Sequence, residues 1–169
     1  MAGLYIHVPF CRGKCPYCDF YSLPCEEGAM DAYVRRTEAV LAQWGGMPIT
    51  TIYFGGGTPS LLGPERLSRL LRQARKSFPL APPGEATLEA NPTHVNEAFF
   101  AALAEAGFTR LSMGMQSADR EELKLLGRAH SPENVEEAVK AAQRAGFRNI
   151  SLDMMLGLPG GSREKLGRT

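Results

Sequence analysis

The sequence predicts an α/β protein built on a parallel sheet of about five strands. Short apolar runs of strand length alternate with longer segments that are apolar at helical spacing, in the order βαβαβαβαβ. One helix-to-strand junction occurs twice in nearly the same form. Ala106-Gly107-Phe108-Thr109-Arg110-Leu111-Ser112 is echoed by Ala145-Gly146-Phe147-Arg148-Asn149-Ile150-Ser151, each a helix end, a glycine stop and a strand start. Polar groups follow each strand at its C-terminal end, where parallel βα arrays build their sites. The repeated junction suits a barrel-like array of βα units, although local turn chemistry alone can also produce it.

Residues 4–10 read as the first strand and lead into a cysteine-rich loop. Residues 30–44 read as a helix whose shared face is Met30, Tyr33, Val34, Thr37, Val40, Leu41 and Trp44. Residues 51–54 form a buried strand that stops at Gly55-Gly56-Gly57. Residues 64–78 are a helix with Pro64 in its first turn and Leu67, Leu70, Leu71 and Ala74 inward. The Pro/Gly-rich residues 79–84 read as a loop, too short to be a domain linker. Residues 86–90 are strand, and 95–106 are a helix ended by Gly107. Residues 111–115 are strand and 119–126 a short helix. Ser131 caps the next helix, Pro132 opens it and Gly146 ends it. Residues 150–156 are the fifth strand.

Composition narrows the function. At 169 residues the chain can bury one substantial core. A net charge of +1 gives no reason to expect a nucleic-acid partner. No apolar run reaches the length of a membrane span, so no transmembrane segment is expected. The N-terminus lacks the basic and apolar segments of a signal peptide. Together with only four cysteines, this argues against disulfides and for a reducing cytoplasm.

Cys11, Cys15 and Cys18 are spaced C-x₃-C-x₂-C in one loop after the first strand. Clustered thiolates at such spacing are typical iron–sulfur ligands. A structural zinc site usually takes four ligands as two separated pairs, and here there is a single triplet. The spacing therefore favours a cluster over zinc, with one position open. Cys25 stands seven residues past Cys18, beyond Pro24. Arg12 and Lys14 between the ligands favour the thiolate form.

The other strand ends carry Gly55-Gly56-Gly57-Thr58-Pro59, then Glu89 and Asn91, then Gln116, then Asp153 ahead of Gly157-Leu158-Pro159-Gly160. Singly, each has an ordinary explanation: a turn, a solvated edge, a helix cap or a surface charge. On one rim with three thiolates they read as a site.

The motifs Tyr-Ile-His-Val-Pro-Phe-Cys…Cys-Pro-Tyr-Cys, Tyr-Phe-Gly-Gly-Gly-Thr-Pro-Ser, Leu-Glu-Ala-Asn-Pro, Ser-Met-Gly-Met-Gln-Ser and Asp-Met-Met-Leu-Gly-Leu-Pro-Gly run the length of the chain. In this order they resemble radical S-adenosylmethionine proteins, and within them the oxygen-independent coproporphyrinogen III oxidase-like group. The resemblance implies a partial, TIM-like (β/α) barrel, truncated from a β6α6 type. It implies that residues 1–169 are a radical SAM core domain incomplete at its C-terminus. It further implies that Cys11, Cys15 and Cys18 hold a [4Fe–4S] cluster whose fourth iron takes the amino and carboxylate groups of S-adenosylmethionine. Reduction then cleaves the sulfonium to methionine and a 5′-deoxyadenosyl radical. By the same resemblance Tyr5, Gly56, Gly57 and Thr58 line the S-adenosylmethionine site and Tyr17 lies beside the adenine. Glu89 and Arg128 meet the charged amino-acid end, and Gln116 and Asp153 bond the ribose or neighbouring groups. Arg128 stands twelve residues past Gln116, as the family's arginine does; an arginine near a helix end is more ordinarily a solvated charge or a cap.

The branch turns on Phe20. Coproporphyrinogen III dehydrogenases resemble C-x₃-C-x₂-C-x-C, and Phe20 stands where the further cysteine would be. The Cys18-Asp19-Phe20-Tyr21-Ser22 run looks instead like the haem-chaperone, HemW-type branch. That branch implies haem as cargo, an unspecified haem-acceptor protein and an electron donor such as a flavodoxin-type reductant. The oxidase, and an inactive truncated fragment, stay open as alternatives. Of the three histidines, His7 reads as a packed core residue, His94 as a possible helix cap, and His130 as the residue before a cap. None is singled out as a haem ligand.

Overall fold

The computed structural model describes residues 2–169. Its elements are β1 (Gly3–Val8), β2 (Phe10–Cys11), β3 (Leu23–Pro24), α1 (Glu27–Gln43), β4 (Ile49–Gly56), α2 (Gly63–Ser77), β5 (Leu80–Ala90), α3 (Glu97–Ala106), β6 (Arg110–Gln116), α4 (Arg120–Leu125), α5 (Pro132–Arg144), β7 (Asn149–Met154) and α6 (Arg163–Arg168). The main sheet runs β1-β4-β5-β6-β7, and every pairing in it is parallel. The α/β class and the five principal strands are as the sequence predicts. Among the described residues the sheet ends at two edges, β1 and β7.

Period-2 alternation gives the sheet two unlike faces. Ile6, Val8, Ile52, Phe54, Ala86, Leu88, Leu111 and Met113 form one core with residues of α1, α2, α3 and α5. Phe54 meets Phe108 edge-on at a centroid distance of 5.2 Å, and Phe100 meets Phe147 at 6.0 Å. The intervening residues carry a polar network. Arg110 donates to Ser151, Ser151 to Ser112, and Ser112 to Asp153. A packed TIM-barrel interior is filled by branched apolar side chains; this face is not, and that leaves it available for binding.

The two glycine junctions are alike in detail. Gly107 and Gly146 have φ of 101° and 99°. In each, the glycine N–H and the following phenylalanine N–H close back onto the helix, Phe108 to Leu103 O and Phe147 to Ala142 O. Ser131 and Asn134 form a reciprocal capping box at the start of α5, as Ser131 and Pro132 led one to expect.

Several local expectations are corrected. Pro9 interrupts the predicted strand over 4–10, and the short β2 pairs with β3, which sequence reading did not contain. Helix α1 starts at Glu27 and stops before Trp44. Val40 and Trp44 are exposed and leave the predicted buried face, because α1 lies at the end of the helix layer with only α2 beside it. Residues 80–84, read as loop, belong to β5: Leu80 pairs with Ile49, and a register shift precedes the Thr51–Glu85 pair. Pro92–His94 is a 3-10 turn, and Asn96, not His94, caps α3. His7 is half-buried with hydrogen-bond partners at both ring nitrogens, whereas His130 is the buried histidine. Among the described residues no helix is long and apolar enough to cross a membrane.

Candidate functional site: a cleft at the strand ends

A cleft of about 570 Å³ opens at the C-terminal ends of the strands. Of the sequence-predicted residues, Cys11, Cys15, Tyr17, Cys18, Gly56, Gly57, Thr58, Glu89, Gln116, Arg128 and Asp153 all line it. Tyr5 does not. It stands on the polar face stacked on Tyr53, with its hydroxyl 3.3 Å from His7 Nδ1. It therefore lies beside Glu89 and Tyr53 and does not form the cleft wall.

The cysteine loop is tied down at its base. Leu23 N–H donates to Pro9 O at 2.5 Å, and Phe10 and Cys11 are in register with Leu23 and Pro24. Thr58 N–H donates to Phe10 O at 2.7 Å, and Cys11 Sγ stands 3.7 Å from Thr58 Oγ1. No three Cys, His, Asp or Glu groups among the described residues are drawn together tightly enough for a single metal ion. In a cluster each thiolate meets its own iron, so the sulfurs need not converge on a point. The loop's donor set is thiolate and fits iron–sulfur ligation better than oxygen-loving cations.

The glycines form the opposing wall. A Cβ on Gly57 would lie 2.7 Å from Phe10 O and 3.1 Å from Cys11 Sγ. Gly56 has φ of 116°, and a Cβ there would lie 2.6 Å from the His7 ring. Only a bare backbone fits both positions, and it brings the chain close beside Cys11 with no side chain in the way.

Glu89 is held by Tyr53 Oη–H at 2.7 Å and Gly56 N–H at 3.2 Å. Burial raises its carboxyl above the ordinary value, with repulsion from Asp153 adding to this, against the lowering effect of those two hydrogen bonds. Burial also raises Tyr53, and donation to Glu89 raises it further. A raised carboxyl binds its proton more tightly in the folded chain, so its contribution to stability is full below the unfolded pKa of about 4.3 and is lost as pH rises through the folded value. Relative to Glu89→Gln, the wild-type chain should therefore gain thermal stability on acidification from neutral toward that range. Paired melting curves across pH check this, and a pH-independent difference would refute it.

Arg128 bridges to the strand end, donating from Nη2 to Gly114 O at 2.8 Å, while its Nε is buried with no partner. An arginine with an unused buried donor on a cleft wall suits an anionic ligand. Tyr17 lies beside Arg128 and Cys15, and burial raises its hydroxyl. Gln116 is not a helix cap. It is the one non-glycine with positive φ, 68°, among the described residues.

Sequence reasoning missed Ser112, Thr93 and His94 on the cleft wall and Tyr53 behind it. Strand parity was the available signal: 112, 114 and 116 share a face, as do 87 and 89, and 151 and 153. His94 is half-buried, and burial followed by the nearby Arg12 lowers its pKa.

A parallel βα array with this thiolate loop and glycine wall is the architecture of a radical SAM core. The chain belongs to the Radical SAM superfamily, whose model matches residues 5–169. It is 42% identical over 174 residues to the heme chaperone HemW of Mycobacterium tuberculosis, covering 99% of this chain and 45% of that protein. It is 43% identical over 170 residues to the heme chaperone HemW of Escherichia coli, covering 96% and 44%. The coproporphyrinogen III oxidase HemN structure from Escherichia coli superposes with a TM-score of 0.89 at 28% identity, covering 99% of this chain and 40% of that one. The chain thus spans less than half the length of these relatives.

Proposed function

We propose that this chain is the cofactor-binding core of a haem chaperone, with haem as the cargo passed to an acceptor protein. The observation that carries the reading is the single cleft in which the Cys11, Cys15 and Cys18 loop faces the Gly56-Gly57 backbone, Glu89 and Arg128. Cys11, Cys15 and Cys18 would hold a [4Fe–4S] cluster. Gly56, Gly57 and Thr58 would seat the methionyl part of S-adenosylmethionine, with Glu89 toward its ammonium and Arg128 toward its carboxylate. Tyr17 would flank the adenine, and Gln116 and Asp153 would bond the ribose or adjacent groups. When bound, the cluster and S-adenosylmethionine supply one-electron reductive chemistry at the open iron. Arg12 and Lys14 are exposed on the cluster loop and would present positive charge to an acidic, flavodoxin-type reductant. Four free cysteines suit a reducing, cytoplasmic setting.

A second reading, radical decarboxylation of coproporphyrinogen III, is favoured by the likeness to the HemN structure. Phe20 weighs against it, standing exposed in the cleft where the resemblance calls for a further cysteine. Anaerobic cluster reconstitution, EPR with and without S-adenosylmethionine, and then haem titration decide between them. An S-adenosylmethionine-dependent signal followed by stoichiometric haem uptake supports the chaperone. Turnover of coproporphyrinogen III with reductant would replace it by the oxidase. Zinc in place of iron, or a cluster blind to S-adenosylmethionine, would overturn both.

A further inference from the structure

The end of β6 is held by an unusual arrangement. Ser117 N–H donates to Met115 O at 2.9 Å across Gln116, whose φ is 68°. A three-residue turn with positive φ at its centre is the rare, strained γ form. Such a conformation persists only where its surroundings over-determine it. The sheet holds Gln116 only on one side, pairing it with Met154 and donating Met155 N–H to its carbonyl at 2.9 Å, while the β6–β7 register shifts between Gly114 and Gln116 and leaves Met115 without a ladder partner.

Two side chains take over. Arg128 donates to Gly114 O at 2.8 Å, and His130, two residues on, stands with Nε2 2.9 Å from Met115 O. A carbonyl can only accept, so Nε2 carries the hydrogen and Nδ1 is bare. That Nδ1 is buried with no partner, so the bond to Met115 O is the only one this imidazole makes. A buried histidine with half its polar capacity unused is a poor choice for packing alone. Its backbone neighbour Ser131 is locked in the capping box of α5, which fixes the imidazole to a rigid helix start. On the other side of the clamp, a Cβ on Gly114 would lie 2.7 Å from Gln116 Nε2 and 3.1 Å from Arg128 Nη2. The Gln116 amide and the Arg128 guanidinium thus sit side by side over Gly114.

We propose that His130 is a positioning residue. With Arg128 it clamps the Gly114 and Met115 carbonyls of β6 and holds Gln116 in the strained turn that keeps its amide on the cleft wall. This rests on the reading that the cleft takes S-adenosylmethionine.

The test uses the cluster-loaded chain and equilibrium dialysis against S-adenosylmethionine. His130→Met removes the donor at similar volume, and His130→Gln retains an N–H at similar reach. Affinity should fall about tenfold in His130→Met, the order expected for one buried hydrogen bond restraining a strained turn. Most of it should return in His130→Gln, with iron content unchanged in both. Wild-type affinity in a folded His130→Met chain, or equal losses in both variants, overturns the proposal. Should His130→Met not fold, nitrogen NMR of the wild-type ring decides: a ring carrying its hydrogen at Nε2 supports the clamp, and the Nδ1–H tautomer with bare Nε2 overturns it. A wild-type chain that loads iron but binds no S-adenosylmethionine refutes the reading of the cleft instead, and the tautomer still decides the clamp.

Discussion

Cys15→Ser should abolish iron loading, taking the chain from about four irons to less than about one after anaerobic reconstitution. On the proposed ligand set, three thiolates with an open fourth position leave no spare ligand. Cys25 cannot stand in, because it follows β3 and packs partly buried against the hydrophobic core, away from the cleft lining. Serine is nearly isosteric, but its hydroxyl is not a thiolate at neutral pH and binds iron poorly in this setting. Cys15 is only half-buried, so the variant should stay folded. Iron and sulfide analysis with circular dichroism on the same sample checks both halves of the expectation. Cys25→Ser is the control and should load fully. A Cys15→Ser chain with its full iron complement would show that the triplet is not the ligand set.

Gly57→Ala should damage both the fold and the cysteine loop. The added carbon would meet Phe10 O at 2.7 Å, Phe10 N at 3.0 Å and Cys11 Sγ at 3.1 Å. Two of those atoms are backbone and cannot rotate away. Nor can the segment slide, since Gly57 N–H is bonded to Val8 O and Thr58 N–H to Phe10 O. The clash must be relieved by moving Cys11, so the expected cost is twofold: about 1–3 kcal/mol of stability, as for overpacking generally, and impaired cluster loading. Gly28→Ala is the matched comparison. It lies in α1 with nothing near its would-be Cβ, and should stabilise the helix by about 0.5–1 kcal/mol. Denaturant titration of the two variants makes the comparison, and equal stabilities would refute the close-approach argument.

The contrast between what sequence reading reached and what it missed has a physical basis. The thiolate triplet, the glycine run and the strand ends were legible because each depends on local spacing, and the parallel βα order then brings them to one rim. The repeated glycine junction was legible for the same reason and recurs as two matching helix stops. The misses depend on distant partners. Nothing local marks Leu23–Pro24 as a strand; it exists because Phe10 and Cys11 lie alongside. Trp44 looks like a buried anchor until the helix layer proves to end at α1. Tyr5 carries a family position but turns toward Tyr53 and not into the cleft. His130 precedes the α5 cap as expected, but its burial is decided by the approach of the 128–130 segment to the end of β6, which no periodicity reports.

The short β2–β3 pairing has a consequence for assembly. By joining residues 10–11 to 23–24, it closes the base of the cysteine loop with backbone alone. The entropy of bringing the loop ends together is then borne by folding. In many small metalloproteins the unfolded chain wraps around its ion and metal uptake is the folding step. A loop whose ends are joined by backbone pairing makes metal capture a local event, so removing the metal with a chelator should leave secondary structure and cooperative melting in place.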